Sequence, residues 1–245
     1  MADKKHAVLS GILFLLNIQF GFAGPPFDTD DPEPLELKHW EYYLSSINGR
    51  QAGVWSGTIP HIEVNYGLAK NVMVHLEVPM NYDYSSLQGF KAGYADTEVG
   101  IKYRFIQETD NSPQVGTFPI LEITKIRNRE FSDGRIRIYL PVWVQKSRGK
   151  LTTYGGAGYW INPGTNNKNW LFAGWEVQYD FSPLLTLGGE LFYHSASTEQ
   201  SSSGTGFNLG GFINITKEFH IIFSVGHSLT NDRVFSSYVG LYFTI

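Results

Sequence analysis

The stretch that decides the fold is Trp170–Phe181, WLFAGWEVQYDF. From Leu171 onward every second side chain is apolar, and Gly174, Glu176, Gln178 and Asp180 between them are small, polar or charged. Successive side chains of a β-strand point to opposite faces, so this stretch predicts a strand with one apolar and one polar face. The apolar face ends in the aromatic rings of Tyr179 and Phe181, at one end of the predicted strand.

The same alternation recurs along the chain and predicts about twelve strands. In a soluble β-sandwich the polar face is rich in Lys and Glu, whereas here it carries Gly, Ser, Thr, Asn and Tyr with scattered charges. This pattern is typical of strands that separate lipid from a watery lumen. We therefore predict an all-β fold, a single antiparallel transmembrane β-barrel. The predicted strands run over 38–47, 54–66, 72–82, 94–106, 117–125, 135–145 and 151–161, and five more start at 170, 184, 205, 218 and 234.

Short and long connections alternate between these strands. Connections such as 67–71 and 182–183 are tight, whereas 83–92, 126–134, 162–169 and 196–204 are longer and polar. Bacterial barrels have short periplasmic turns and longer outer loops, so the short connections predict the periplasmic end. A first turn is predicted at Asn48–Gly49. Outward aromatics at the short-turn end, Tyr66, Phe105, Phe181, Phe219 and Phe243, predict an aromatic girdle there.

The chain divides into three parts. Lys4 and Lys5 precede an apolar stretch that ends in small residues at 21–23, which predicts a secretory signal peptide over 1–23. Residues 24–36 are acidic and rich in proline, and we interpret them as an extended segment that forms a strap or a plug at the periplasmic mouth. Residues 37–245 form the barrel. The expected location is the cell outer membrane, with lipid and the barrel-insertion machinery as partners.

Composition excludes several classes of protein. The chain has no cysteine, so it holds neither a disulfide framework nor a lipoprotein anchor. Its formal net charge of −4 gives no basic excess for binding nucleic acid. Nothing in the sequence calls for a cofactor.

Charged and aromatic side chains on the polar faces predict the contents of the lumen. Two interpretations stay open: a structural network of ion pairs that fills a narrow barrel, or a conduit whose charges orient a small-molecule solute. Aromatic rings such as Tyr139 and Trp143 would stack on an aromatic solute, or pack the lumen. The candidate lumen residues are Glu63, His75, Glu77, Asp96, Glu98, Lys102, Arg104, Arg135, Arg137, Tyr139, Trp143, Glu176, Asp180, Glu190 and His194.

The acidic segment offers a second, weaker candidate site. Asp28, Asp30 and Asp31 are spaced like oxygen ligands for a hard cation such as Ca²⁺. The glycine that a sharp ligand loop needs is missing, and Pro32 and Pro34 favour an extended chain. We therefore expect no metal there.

An enzyme and a structural or adhesive barrel are the rival classes. His194-Ser195 and His227-Ser228 offer residue types for nucleophilic catalysis, but neighbours on a strand point in opposite directions. Neither a GxSxG nor an HExxH motif is present. The expectation is a channel or transporter for small organic compounds, aromatic ones among them, and not an enzyme. The first alternative is a structural barrel with a closed, salt-bridged lumen, and the less favoured one is a membrane-embedded hydrolase or acyltransferase.

The segment GPPFDTDDPEP at 24–34, followed by His39-Trp40-Glu41, resembles the opening of the MetA-pathway of phenol degradation family. Tyr66-Gly67-Leu68 before a short turn and the stretch Gly93–Tyr103 are similar to that family too. The resemblance implies an outer-membrane β-barrel that moves small, often aromatic, compounds. It implies no catalytic residues.

Overall fold

A computed structural model describes residues 25–123, 131–132, 134–231 and 234–245. The signal peptide predicted for 1–23 and part of the connection predicted at 126–134 lie outside the described residues. Within the described ranges, no helix is long and apolar enough to cross a membrane.

The described chain is built from fourteen β-segments. They are β1 (Trp40–Gln51), β2 (Val54–Ala69), β3 (Val72–Ser85), β4 (Gly89–Tyr94), β5 (Thr97–Ile106), β6 (Gln114–Thr117), β7 (Ile120–Ile123), β8 (Arg137–Arg148), β9 (Leu151–Ile161), β10 (Trp170–Ser182), β11 (Leu185–His194), β12 (Gly204–Asn214), β13 (Phe219–Ser228) and β14 (Val234–Thr244).

These segments fill twelve positions in the wall of a closed antiparallel barrel. β4 and β5 both pair with β3, so they are two halves of one wall strand interrupted at Ala95 and Asp96. β6 and β7 both pair with β5 and β8 and are separated by Phe118 and Pro119, because proline cannot donate to the ladder. β1 pairs with β14 from Glu41↔Thr244 to Gln51↔Val234 and closes the barrel. The predicted fold class is confirmed.

The distribution of apolar and polar side chains is the reverse of that in a soluble protein. Large apolar side chains lie on the outside, such as Leu191 at 62% exposed, Leu209 at 57% and Val239 at 56%. Charged side chains lie inside, such as Glu176 at 0% and Glu190 at 3%. An apolar exterior around a polar interior is the arrangement of a membrane-spanning barrel. At the short-turn end, Phe105, Phe181 and Phe243 are exposed, where the aromatic girdle is predicted.

Two predicted boundaries are wrong. The first turn is not at Asn48–Gly49, because both residues stay in the β1–β14 ladder. The turn lies at Ala52–Gly53, where both residues have positive φ, as a tight hairpin requires. The predicted loop 83–92 is also wrong: β3 and β4 pair up to Ser85↔Gly89, and a three-residue connection joins them.

Candidate functional site

Residues 25–36 lie inside the barrel, and we call them the plug. Phe27 is 2% exposed, Thr29 0% and Asp30 1%, although none of them belongs to a strand. The plug contacts residues of β13, β11, β10, β5, β6 and β8, so it crosses the lumen from one side of the wall to the other. Lys38 then donates its N–H to the carbonyl of Gly67 at 2.8 Å, which places the exit of the plug at the short turn between β2 and β3.

Glu190 on β11 holds the amino-terminal half of the plug. Its two carboxylate oxygens accept the backbone N–H of Asp28 at 2.8 Å and of Thr29 at 2.7 Å. Asn208 donates its side-chain amide to the same carboxylate at 2.6 Å. Beside them Ser224 donates its hydroxyl to the carbonyl of Pro26 at 2.5 Å. Charge-assisted hydrogen bonds of this kind are the stronger ones in proteins, so Glu190 is a principal anchor.

Lys102 on β5 holds the middle of the plug. Its ammonium group donates to a carboxylate oxygen of Asp30 at 2.9 Å and lies 3.6 Å from Asp31. Burial raises the pKa of Asp30 to about 6, although Lys102 opposes the change. Burial and the negative charge of Glu190 likewise raise the pKa of Asp28 well above its ordinary value. The docked plug therefore disfavours negative charge on both aspartates.

Three polar side chains hold the carboxyl-terminal half of the plug at Glu33. Gln114 and Gln145 each donate an amide to one oxygen of Glu33 at 3.1 Å. The guanidinium of Arg104 lies 3.5 Å from the other oxygen. Asp30 and Glu33 thus each have partners on the wall, and no carboxylate of the plug belongs to a group of metal-ligating atoms among the described residues.

Two glycines of the wall make room for the plug. A Cβ at Gly174 on β10 would clash with the hydroxyl of Thr29, and a Cβ at Gly116 on β6 would lie 2.9 Å from Pro32. A side chain at either position would push the plug away from the wall. The fit between plug and wall is therefore close at both β6 and β10.

The plug separates two cavities. The outer cavity, of about 160 Å³, is lined by Phe192, His194 and Asn208 together with Pro26 and Asp28 of the plug. The inner cavity, of about 420 Å³, is lined by Glu63, His75 and Lys102 and by most of the rest of the plug. Residues of the plug therefore line both cavities.

An aromatic cluster fills the wall side of the lumen beside the plug. Tyr139, Trp160 and Trp170 lie opposite one another on β8, β9 and β10, with ring centroids 4.7 Å and 5.5 Å apart and nearly parallel planes. Trp143 is 0% exposed and meets Phe172 edge to face. Among the described residues, the hydroxyl of Tyr139 and the indole N–H of Trp143 are buried without a hydrogen-bond partner. The two predicted aromatic side chains therefore face a packed lumen.

A row of carboxylates crosses four adjacent wall strands. The ladder places Glu63, Glu77, Glu98 and Glu122 directly side by side, and Arg137 follows on β8. Arg137 donates to Glu122 at 2.5 Å and lies 3.4 Å from Asp96. We call Glu63, Glu77, Glu98 and Glu122 the acidic row. It brings together six of the predicted lumen residues, Glu63, His75, Glu77, Asp96, Glu98 and Arg137.

The other predicted residues lie apart. Glu176 is fully buried and accepts a hydrogen bond from Gln178 at 2.7 Å, while Asp180 is exposed near the inner mouth and accepts from Thr186. His194 lines the outer cavity. Arg135 precedes β8 and donates to the carbonyl of Pro163 in the outer connection. Arg135 and Arg137 therefore do not form one cationic spot.

Four uncharged side chains that hold the plug escaped the sequence-based prediction. They are Asn208, Ser224, Gln114 and Gln145. All four occupy inward positions of their strands and are 4%, 4%, 2% and 7% exposed. Asn208 and Ser224 alternate with apolar neighbours, so the sequence predicts that their side chains face the lumen. No local sequence pattern shows that they contact the plug.

Comparison with solved structures finds barrels of the same fold. The structure of a COG4313 outer membrane channel from Pseudomonas putida F1 matches with a TM-score of 0.70 at 15% identity, covering 89% of this chain and 100% of that chain. The NanC porin matches with a TM-score of 0.58 at 10% identity, covering 82% of this chain and 98% of that one. The KdgM porin in complex with disordered oligogalacturonate matches with a TM-score of 0.57 at 13% identity and the same coverage of 82% and 98%.

No protein-family description and no curated protein matches this chain. Membership of the MetA-pathway family stays a resemblance. What the comparisons show is the fold, a membrane-spanning β-barrel like those of outer-membrane channels and porins.

Proposed function

We propose that the protein is an outer-membrane channel for small organic solutes whose resting state is closed by its own plug. The observation that carries the proposal is the plug itself, which lies across a polar lumen and lines a cavity on each side of its path. A purely structural barrel needs no cavity at either end. The likeness to channel and porin barrels supports the same function.

The proposed location rests on the exterior and on the predicted leader. A wall with Leu191, Leu209 and Val239 exposed requires lipid around it. In this proposal the insertion machinery recognises the last strand, whose Phe243 and Ile245 lie on the outer face. Membrane fractionation with amino-terminal sequencing should find the mature chain in the outer membrane, starting at Gly24. A soluble periplasmic product would contradict it.

The proposed solutes are small and aromatic. The stacked rings of Tyr139, Trp160 and Trp170 continue to Phe172 and Phe192, which line the outer cavity. An aromatic solute that enters there would pass along ring faces, and the unpartnered donors of Tyr139 and Trp143 would meet a hydroxyl group. Since Arg137 is already paired with two carboxylates, we propose neutral phenol-like solutes in place of anions.

A disulfide bond engineered between the plug and the wall tests whether the plug must move before the channel conducts. Thr29 Cβ lies 3.2 Å from the Cβ position of Gly174, near the span of about 3.5 to 4.5 Å across a disulfide. The chain has no other cysteine, so Thr29→Cys with Gly174→Cys gives one defined bond. In planar bilayers we expect low conductance when the pair is oxidised and higher conductance after reduction.

The single variant Gly174→Cys serves as the control, because it cannot form the bond. Its conductance should not respond to reductant. If the reduced double variant is as silent as the oxidised one, and the folded wild-type protein neither conducts nor takes up phenols, the closed structural barrel is the correct interpretation.

A further inference from the structure

We propose that His75, Glu77 and Glu98 form a binding site for a divalent transition-metal ion, for which Zn²⁺ is the probe. A ring nitrogen of His75 and a carboxylate oxygen of each glutamate lie within 4.8 Å of one another. The three side chains are 7%, 5% and 7% exposed. Imidazole and carboxylate together suit Zn²⁺ and similar ions better than Ca²⁺ or Mg²⁺, which prefer oxygen ligands alone.

The hydrogen bonds of His75 put its ring in a metal-binding form. Its Nδ1 lies 2.8 Å from the amide oxygen of Asn65, whose own N–H₂ group donates to Glu63 at 2.8 Å. Since that amide oxygen can only accept, Nδ1 carries a proton, and in the neutral ring Nε2 is then the nitrogen that can bind a metal. Histidines that bind metals are held in this way, by an acceptor that takes a hydrogen bond from the other ring nitrogen.

The lone pair of Nε2 has no partner in the part of the chain that the structure describes. Asn65 and Glu63 both belong to β2, so Nδ1 points to that side of β3 and Nε2 points to β5, where Glu98 lies. Opposite His75 on β5 is Gly100, and the ring of Phe118 lies over this glycine and meets the His75 ring edge to face, with ring centroids 5.2 Å apart. A buried, unpartnered acceptor of this kind is costly unless a ligand satisfies it.

The carboxylates around the site also favour a cation. Glu77 has His61 at 2.9 Å, Glu63 accepts the side-chain amide of Asn65 at 2.8 Å, and Glu122 has Arg137 at 2.5 Å. Glu98 stands between Glu77 and Glu122 in the acidic row and has neither a hydrogen bond nor an ion pair among the described residues. Buried carboxylates are expensive unless they are paired or bind metal.

The ion can reach the site, and the ligands can close on it. His75 and Glu63 line the inner cavity, which provides an entry path from the short-turn mouth. Tetrahedral ligands at Zn²⁺ stand about 3.3 Å apart, so the three atoms must approach from their present spread of up to 4.8 Å. Among the described residues no hydrogen bond or ion pair of Glu98 has to break for this closure.

Metal titration of the untagged mature protein in detergent tests the site. After chelator treatment, calorimetry with ZnCl₂ should show one Zn²⁺ per chain, and Co²⁺ should give the visible absorption of a low-symmetry nitrogen and oxygen site. Glu98→Gln and His75→Gln should each weaken Zn²⁺ binding by at least about tenfold to a hundredfold. Ca²⁺ in equal excess should not displace the ion.

The matched controls are His227→Gln and Glu218→Gln, which change the same residue types at exposed positions away from the acidic row. Both should bind Zn²⁺ like the wild type. Glu98→Gln removes no hydrogen bond and keeps the shape of the side chain, so heat-modifiable migration should show it folded even if His75→Gln is not. Absence of Zn²⁺ binding by the folded wild type, or unchanged binding in Glu98→Gln, would overturn the proposal. Neither result depends on whether the channel conducts.

Discussion

The carboxylate of Glu190 accepts the backbone N–H of Thr29 at 2.7 Å, although 161 residues separate them in the chain. This contact ties the plug to the far side of the wall from the strand that follows it. The state of the lumen therefore depends on a few polar contacts that side-chain substitutions can remove one at a time.

Replacing Glu190 with alanine should release the amino-terminal half of the plug. The backbone N–H groups of Asp28 and Thr29 would then be buried without an acceptor, at a cost of about 1 to 3 kcal/mol each. We expect a larger fraction of open channels in planar bilayers and faster cleavage of the plug by a protease that cuts beside aspartate, since Asp28, Asp30 and Asp31 all lie in or next to the released half. Asp180→Asn is the control, since Asp180 is exposed and contacts Thr186 away from the plug. Equal protection of the plug in both variants would count against Glu190 as an anchor.

Adding one methyl group at Gly174 should release the plug from the wall, as the Glu190 substitution is expected to do. The new Cβ in Gly174→Ala would meet the hydroxyl of Thr29, so the plug must shift. Thr29→Ala removes that hydroxyl, and the double variant should recover most of the closed state. Open probability measured for the two single variants and the pair gives the coupling between the positions. Additive effects would mean that Thr29 and Gly174 do not touch in the closed channel.

Acid should favour the closed state. The docked plug raises the pKa of Asp30 from 3.8 to about 6, so the docked form binds more protons than the released form between these values. Docking is then most favourable below about pH 4 and loses this contribution as the pH rises through about 6. Open probability should rise between pH 5 and pH 7, and Asp30→Asn should flatten the rise. An open probability that falls over this interval would show the opposite sign.

Truncating an apolar side chain should destabilise the barrel more inside the lumen than on the outer face that contacts lipid. Ile222 is 0% exposed inside the lumen, so Ile222→Ala should destabilise by about 2 to 5 kcal/mol. Leu209 is 57% exposed on the outside, where lipid fills the space that Leu209→Ala leaves, and we expect a smaller loss. Leu209→Arg should cost about 2 to 4 kcal/mol if it lies near the bilayer midplane. Urea unfolding in lipid vesicles measures all three, and a larger loss for Leu209→Ala than for Ile222→Ala would reverse the assignment of faces.

The alternation of apolar and polar residues predicted the strand boundaries well where no proline interrupts a strand. β9 runs over the predicted 151–161, and β10 extends the predicted strand by one residue to Ser182. The prediction failed at Asn48–Gly49, a favoured turn sequence, because cross-strand pairs with Ser237 and Ser236 keep both residues in the ladder. Tertiary pairing overrode local turn propensity there.

The sequence predicted which side chains of the candidate site face the lumen, but it did not predict which residues they contact. A period of two assigns Glu98 and Lys102 to the inner face, and strand order then sets which side chains lie side by side. The path of the plug has no periodicity, so its contact between Asp30 and Lys102 could not be derived from the sequence. Arg135 shows the limit of alternation, since it shares the parity of Arg137 but lies before the strand begins.

The seam between β1 and β14 sets the order of assembly. Its pairs join residues about two hundred positions apart, such as Glu41 with Thr244, so closure has the greatest loss of chain entropy of any pairing in the wall. Hairpins such as β9 with β10 can form early from neighbouring sequence, whereas the seam must wait for the last strand to be synthesised and delivered. Until then β1 and β13 each expose an unpaired edge. A chain that ends before Val234 therefore has no route to a sealed wall and becomes a substrate for aggregation or proteolysis.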